Sequence, residues 1–129
     1  PRFVVSAQAD EIPLQRLQIV KGWTDAAGQS HVDVVDVAGG DNGASVDLET
    51  CEPIPAGSDT LCGVWTDPDH DPSAPAFYYA RVVEDPTCRW SWRDCLSLPE
   101  DERPALCADT RMPRTVSERA WTSAIWVSP

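Results

Sequence analysis

The chain has 129 residues, enough for one domain with a single modest core. It carries 10 Lys and Arg against 21 Asp and Glu, which gives a formal net charge of -11 at pH 7. This charge repels phosphate backbones and anionic membranes, and the sequence has no apolar run of about 18 residues. We therefore expect no nucleic-acid partner and no membrane insertion.

The first residues, RFVVSAQ, alternate between apolar and polar positions like a β-strand from the outset. Because no leader, cap or turn precedes them, we expect residues 1–129 to be a single β-rich module cut from a longer protein. The five cysteines suit an oxidising compartment. We expect an extracytoplasmic location, either periplasmic or secreted.

A hairpin is predicted next. The stretch LQRLQIVKGW places Leu17, Ile19 and Lys21 on one face of a strand, and HVDVVDVA continues the period of two after the turn at residues 25–30. The following stretch, up to about residue 60, is dominated by Gly, Asp, Asn and Pro. It predicts a long loop with one short strand at residues 44–48.

Two further strands, LCGVWTD and AFYYARVVE, follow this loop. The second is apolar on both faces except at Arg81, so it is predicted to lie in the middle of its sheet. One helix is predicted in SWRDCLSL, because Trp92, Cys95 and Leu96 or Leu98 fall at helical spacing, and Pro99 would end it. A final strand is predicted over residues 120–127.

Short strands separated by turn residues, with a single short helix, predict an all-β fold. We expect mainly antiparallel sheets in an immunoglobulin-like β-sandwich with one long loop.

Three aspartates, Asp67, Asp69 and Asp71, have the alternate spacing with which a calcium loop begins. An EF-hand loop starting at Asp67 would need a glycine at its sixth position and a glutamate at its twelfth, where the sequence has Pro72 and Tyr78. The favoured interpretation is a rigid, solvated acidic turn, and calcium is the alternative. No other cofactor is expected.

No catalytic motif is present in the sequence. The two histidines, His31 and His70, are far apart and lack a ligand partner at metal-binding spacing, and no nucleophile elbow or phosphate loop occurs. We expect the segment not to be an enzyme.

The cysteines allow several pairings. Cys51 with Cys62 and Cys95 with Cys107 would each close a ring of about a dozen residues and add roughly 3 kcal/mol of stability. These two pairs are favoured, which leaves Cys88 as a buried thiol. The main competitor pairs Cys88 with Cys95 or Cys107.

Arg89, Trp90 and Trp92 form a compact group whose aromatic faces and guanidinium suit a sugar or an anion. Packing in the core or at a domain interface is the more ordinary role for these tryptophans.

Three blocks of the sequence carry a family resemblance: LQRLQIVKGW, WTDPDHDPSAPAFYYARVVEDPTCRWS and RTVSERAWTSAIWVSP. They resemble the C-terminal end of the bacterial domain-of-unknown-function family 3604, although His70 stands where that family often has an aromatic residue and Ala124 where proline is usual. The resemblance implies a large exported parent similar to PHP-type metal-dependent hydrolases. The metal ligands of such a parent would lie upstream, and none can be placed on this chain.

We therefore expect a non-catalytic accessory module that packs against a hydrolase-like domain, so that the partner is the remainder of the parent chain. The alternative is a module that binds a carbohydrate or small ligand, assisted by calcium.

Overall fold

The computed structural model describes residues 1–129. Its elements are eleven strands and one α-helix: β1 Arg2–Gln8, β2 Leu14–Thr24, β3 Ser30–Gly39, β4 Ser45–Val46, β5 Pro53–Ile54, β6 Thr60–Thr66, β7 Ala76–Glu84, β8 Thr87–Cys88, α1 Trp90–Ser97, β9 Thr115–Val116, β10 Arg119–Trp121 and β11 Ile125–Val127. Two single 3-10 turns, Glu100–Glu102 and Ala105–Ala108, follow α1.

The main sheet has five strands. It runs β3, β2, β7 and then β10 and β11, which lie one after the other along the far edge of β7. Every pairing in it is antiparallel. The predicted hairpin is confirmed, since β2 pairs with β3, and so is the predicted central strand, since β7 lies between β2 on one side and β10 with β11 on the other.

Strands β1 and β6 form a separate two-stranded ribbon that covers one face of the main sheet. Leu61 of the ribbon packs with Leu14 and Leu17 of β2, and Phe3 packs against Tyr78 of β7 with the ring centroids 4.7 Å apart. The core therefore lies between two layers of unequal width. The predicted all-β class is confirmed as an open, sandwich-like arrangement with one short helix.

The excursion between β3 and β6 is fastened to the end of β7 by Asp85, whose side chain is buried. One carboxylate oxygen accepts hydrogen bonds from the backbone N–H groups of Ala56 and Gly57, at 2.9 and 2.7 Å, and the other accepts one from Asn42 at 2.9 Å. Glycine is needed at position 57, because a Cβ there would meet the Leu14 carbonyl. These hydrogen bonds to Asp85 fix the path of the excursion, which contains little regular secondary structure.

A disulfide fastens the same excursion and corrects one prediction. Cys51 pairs with Cys88 and not with Cys62, which is exposed and free. The pairing of Cys88 with Cys95 or Cys107 is also wrong. Cys88 lies on β8, three residues after Asp85, so the bond joins the excursion to the same strand end to which Asp85 already fastens it.

The other predicted disulfide, Cys95 with Cys107, is confirmed. It joins α1 to the second 3-10 turn. No residue of α1 or of either turn is buried, so this segment has little core of its own. No helix in the structure is long and apolar enough to cross a membrane.

The C-terminal strand differs from its prediction. Residues 120–127 were expected to form one strand, but β10 and β11 are separated at residues 122–124. Thr122 stays attached to β7 there: its hydroxyl accepts a hydrogen bond from Ala80 N–H at 3.0 Å, and its own N–H donates to Ala80 O at 3.1 Å. The short strand expected at 44–48 is only Ser45–Val46.

Candidate functional site

The first aspartate of the loop, Asp67, lies inside the sandwich. Its carboxylate is 2.6 Å from the ammonium of Lys21, and the two side chains are only 2% and 6% exposed. The sequence prediction of a solvated acidic turn is therefore wrong for Asp67. Lys21 lies on the same inner face of β2 as Leu17 and Ile19, so its ammonium points into the core. The Asp67 carboxylate neutralises this buried positive charge.

Three more hydrogen bonds complete this cluster. Tyr78 donates its hydroxyl to Asp67 at 2.8 Å, Asp69 donates its backbone N–H to Asp67 at 3.0 Å, and Lys21 donates to the Asp69 carbonyl at 3.1 Å. Burial alone would raise the pKa of Asp67, but the hydrogen bonds from Lys21, Tyr78 and Asp69 outweigh it and lower that pKa. Burial and the Asp67 carboxylate raise the pKa of Tyr78. Asp67 is thus held as a carboxylate and Tyr78 as a phenol.

The other two aspartates of the loop point elsewhere. Asp69 is exposed, and Asp71 accepts hydrogen bonds from the N–H and the hydroxyl of Ser73, which lower the pKa of Asp71. The three carboxylates do not converge, and no three His, Cys, Asp or Glu residues of the chain are grouped as they would be around a metal ion. The charged contact of the loop with the main sheet is therefore the ion pair between Asp67 and Lys21.

The two histidines lie near this end of the sheet. His70 has its Nδ1 3.4 Å from the Tyr78 hydroxyl. His31 has its Nε2 2.8 Å from Asp25 and stacks on Trp23 with centroids 5.1 Å apart. The hydrogen bond from His31 lowers the pKa of Asp25.

A cleft of about 340 Å³ opens beside the aspartate loop. Its walls include Lys21, Trp23, Asp69 and His70. The ammonium of Lys21 is already engaged by Asp67 and the Asp69 carbonyl, so it is not a free nucleophile or base.

The group Arg89, Trp90 and Trp92 is divided by the start of α1. Trp92 donates its indole N–H to the Leu48 carbonyl at 2.8 Å, and the guanidinium of Arg114 lies 4.2 Å from its ring centroid. Trp90 is 69% exposed, and Arg89 lines the same shallow groove as Trp90. Trp92 therefore fastens the excursion to α1. Trp90 is exposed to solvent, and Arg89 is partly exposed.

No second sheet packs over the face of the main sheet opposite the ribbon, although the side chains of Gln18, Val20 and Val83 on its inner strands are buried. We call this face the outer face; its strand residues are Arg16, Gln18, Val20, Gly22, Val32, Val34, Asp36, Phe77, Tyr79, Arg81, Val83, Arg119, Trp121 and Trp126.

Aromatic and aliphatic side chains dominate the outer face. Trp126 is 73% exposed and its ring lies 5.3 Å from that of Phe77, while Val32 is 64% and Trp121 60% exposed. Gly22 allows Phe77 to lie flat on β2, because a Cβ there would overlap the ring. Large apolar side chains on a sheet face that should be solvated mark a surface for contact.

A polar row crosses the same face over four strands. Trp121, Arg81, Gln18 and Asp36 are successive register partners. Arg81 donates to the Gln18 amide oxygen at 2.8 Å, and Gln18 donates to Asp36 at 2.6 Å. The row holds the Arg81 guanidinium against Gln18, and Trp121 is the cross-strand neighbour of Arg81 on the other side.

A protein-family model matches residues 1–129. The chain belongs to the family of proteins of unknown function DUF3604. No curated protein and no solved structure matches it. In this DUF3604 chain the three sequence blocks that carry the resemblance form β2, the loop from Asp67 into β7, and β10 with β11. These blocks lie side by side in the main sheet and supply the Lys21 cluster and the outer-face residues of β2, β7, β10 and β11.

Sequence reasoning missed two parts of this arrangement. The alternation of β2 placed Lys21 with Leu17 and Ile19, and a lysine on an apolar face was a signal that an acidic partner must lie opposite. The sequence also placed Phe77, Tyr79 and Arg81 on one side of β7. It gave no sign that this side would be left without a covering layer.

Proposed function

We propose that this DUF3604 segment is a non-catalytic structural module of an exported protein, and that its outer face packs against another domain of the same polypeptide. The observation that carries the proposal is the exposure of Trp121 and Trp126 on the outer face of the main sheet. Covering these two side chains would remove apolar surface from water, which is favourable by roughly 25 cal/mol for each Å² buried. The resemblance to PHP-type parents suggests a hydrolase-like domain as the partner.

The small core supports the same proposal. Only 15 of the 129 residues are buried, while eleven large apolar side chains are exposed, so a good part of the apolar surface is not used inside the module. The two disulfides compensate for a small core and are common in extracytoplasmic proteins, which supports export.

We also propose that the module has no catalytic activity of its own. Its most tightly held ionisable groups, Lys21 and Asp67, neutralise each other. We infer that they serve to join the ribbon to the main sheet.

The test compares two tryptophan variants of the full-length protein. Trp121→Ser with Trp126→Ser should loosen the module from its neighbour, so that limited proteolysis between them becomes faster. Trp90→Ser is the matched control, because Trp90 is 69% exposed but lies on α1. Equal proteolysis rates in the two variants and the wild type would contradict the proposal.

A second candidate function, the binding of a small polar ligand, is favoured by the cleft beside the aspartate loop. Its volume of about 340 Å³ is within the range of small-molecule sites, and Asp69 and His70 offer polar groups next to Trp23. Titration of the module with neutral mono- and disaccharides, followed by NMR, should shift the indole signal of Trp23 if this function is correct. An unchanged spectrum would exclude these ligands.

A further inference from the structure

The outer face has a charge that is unusual for this chain. Its strand residues include three arginines, Arg16, Arg81 and Arg119, and a single carboxylate, Asp36. The whole chain has 10 basic residues against 21 acidic ones. The outer face is therefore locally positive on a strongly negative molecule.

Two of these arginines have no ion-pair partner. Asp36 lies 3.7 Å from Arg16, whereas Arg81 and Arg119 have no carboxylate within 4.0 Å. Arg81 and Trp121 are register partners, and Arg119 comes two residues before Trp121 on the same strand. Two arginines without a carboxylate partner are thus strand neighbours of Trp121, which is 60% exposed.

We propose that the surface covering the outer face is a protein surface with an apolar patch bordered by carboxylates, which pair with Arg81 and Arg119. This inference rests on the proposed function and specifies the chemistry of the partner. A guanidinium group binds a carboxylate through two parallel hydrogen bonds, and removing water from such a pair strengthens it.

Charge disfavours a second copy of the chain as the occupant. Each outer face carries three arginines and one carboxylate, so two such faces repel each other, and each copy also carries a net charge of -11. Carboxylates on a different domain satisfy the guanidinium groups without this repulsion.

The test measures hydrogen exchange of the amides in residues 119–127 in the full-length protein. Arg81→Glu with Arg119→Glu should accelerate this exchange by about tenfold or more, since close charge pairs at interfaces contribute about 1.5 kcal/mol or more. Arg2→Glu with Arg93→Glu is the control, because both arginines are exposed, lie off the outer face and give the same change in net charge. The control should leave the exchange unchanged. The single variant Arg119→Glu, at an exposed position, gives a smaller acceleration and guards against misfolding.

Each outcome separates the inference from the proposed function. If Trp121→Ser with Trp126→Ser accelerates exchange but the arginine variants do not, the face is covered without carboxylates, and this inference fails alone. If neither pair of variants changes exchange, the proposed function fails as well. Binding of heparin or inorganic phosphate to the module through Arg81 would identify an anionic ligand and also overturn the inference.

Discussion

Lys21 and Asp67 form a buried ion pair, 2.6 Å between Nζ and Oδ2, that connects β2 to the loop after β6. The pair lies where the ribbon ends over the main sheet, and Tyr78 of β7 donates to the same carboxylate. Three elements that are distant in sequence therefore meet at one oxygen atom. This arrangement leads to a prediction about stability.

Replacing one partner of the pair should be strongly destabilising. Lys21→Met leaves the Asp67 carboxylate buried without its counter-ion and should reduce the free energy of unfolding by about 3–5 kcal/mol. The double variant Lys21→Met with Asp67→Leu should lose less, because no charge is left inside. Urea unfolding followed by circular dichroism measures both.

The exposed ion pair of Arg111 and Asp109 provides the control. Arg111→Met should not change stability measurably, because the Arg111 side chain is 89% exposed and the pair is screened by water. A Lys21→Met variant as stable as Arg111→Met would contradict the role given to the buried pair.

The carboxylate of Glu84 gives a pH dependence. Burial raises the pKa of Glu84 above its ordinary value of 4.5, and the charges of Glu118 and Asp10 raise it further. The ionised form of Glu84 is thus disfavoured in the folded protein. Ionisation therefore reduces the free energy of unfolding fully at pH values above the pKa of the folded state, and this loss disappears below the pKa of the unfolded state. Glu84→Gln should raise the melting temperature at pH 7 and lose this advantage near pH 4.

Glu100→Gln, at an exposed position in the first 3-10 turn, is the control and should match the wild type at both pH values. A Glu84→Gln variant that is less stable than the wild type at pH 7 would show that the carboxylate is favourable in the fold.

Removal of the two disulfides should have unequal effects. Cys51 and Cys88 are 37 residues apart, so replacing both by serine should lower stability by about 4 kcal/mol. The bond between Cys95 and Cys107 closes 12 residues and should contribute about 3 kcal/mol. Thermal unfolding of the two double-serine variants tests the order.

The connectivity itself can be mapped with the same protein. Alkylation without reductant should label only Cys62, and non-reducing peptide mapping should recover Cys51 joined to Cys88. A peptide joining Cys51 to Cys62 would contradict the structure.

The strands were predictable because they show local alternation or continuous apolar character. β1 and β6 follow the period of two of a half-buried strand, whereas β2 is buried on both faces from Leu17 to Gly22, as expected for a strand in the middle of a sheet. The disulfide of Cys51 was not predictable, since Cys62 is closer in sequence and only the path of the excursion, held by Asp85, brings Cys88 within reach. The break at Thr122 was missed for a similar reason: its hydroxyl replaces a strand contact, which alternation cannot reveal.

Calcium should have no effect on stability. One Asp67 oxygen is engaged by Lys21 and Tyr78 and the other by Asp69 N–H, so an ion would have to displace a buried ammonium. Differential scanning calorimetry with millimolar calcium should give the same melting temperature as with a chelator. An increase that disappears in Asp69→Asn would contradict this and restore the calcium loop.

The central claim, that the outer face is covered in the full-length protein, is tested most directly by hydroxyl-radical footprinting of Trp121 and Trp126. Both indoles should be oxidised rapidly in the isolated module, where they are 60% and 73% exposed, and slowly in the full-length protein. Trp90 should react at a similar rate in both. Equal oxidation of Trp121 and Trp126 in the two proteins would show that the face stays in water and would contradict the account.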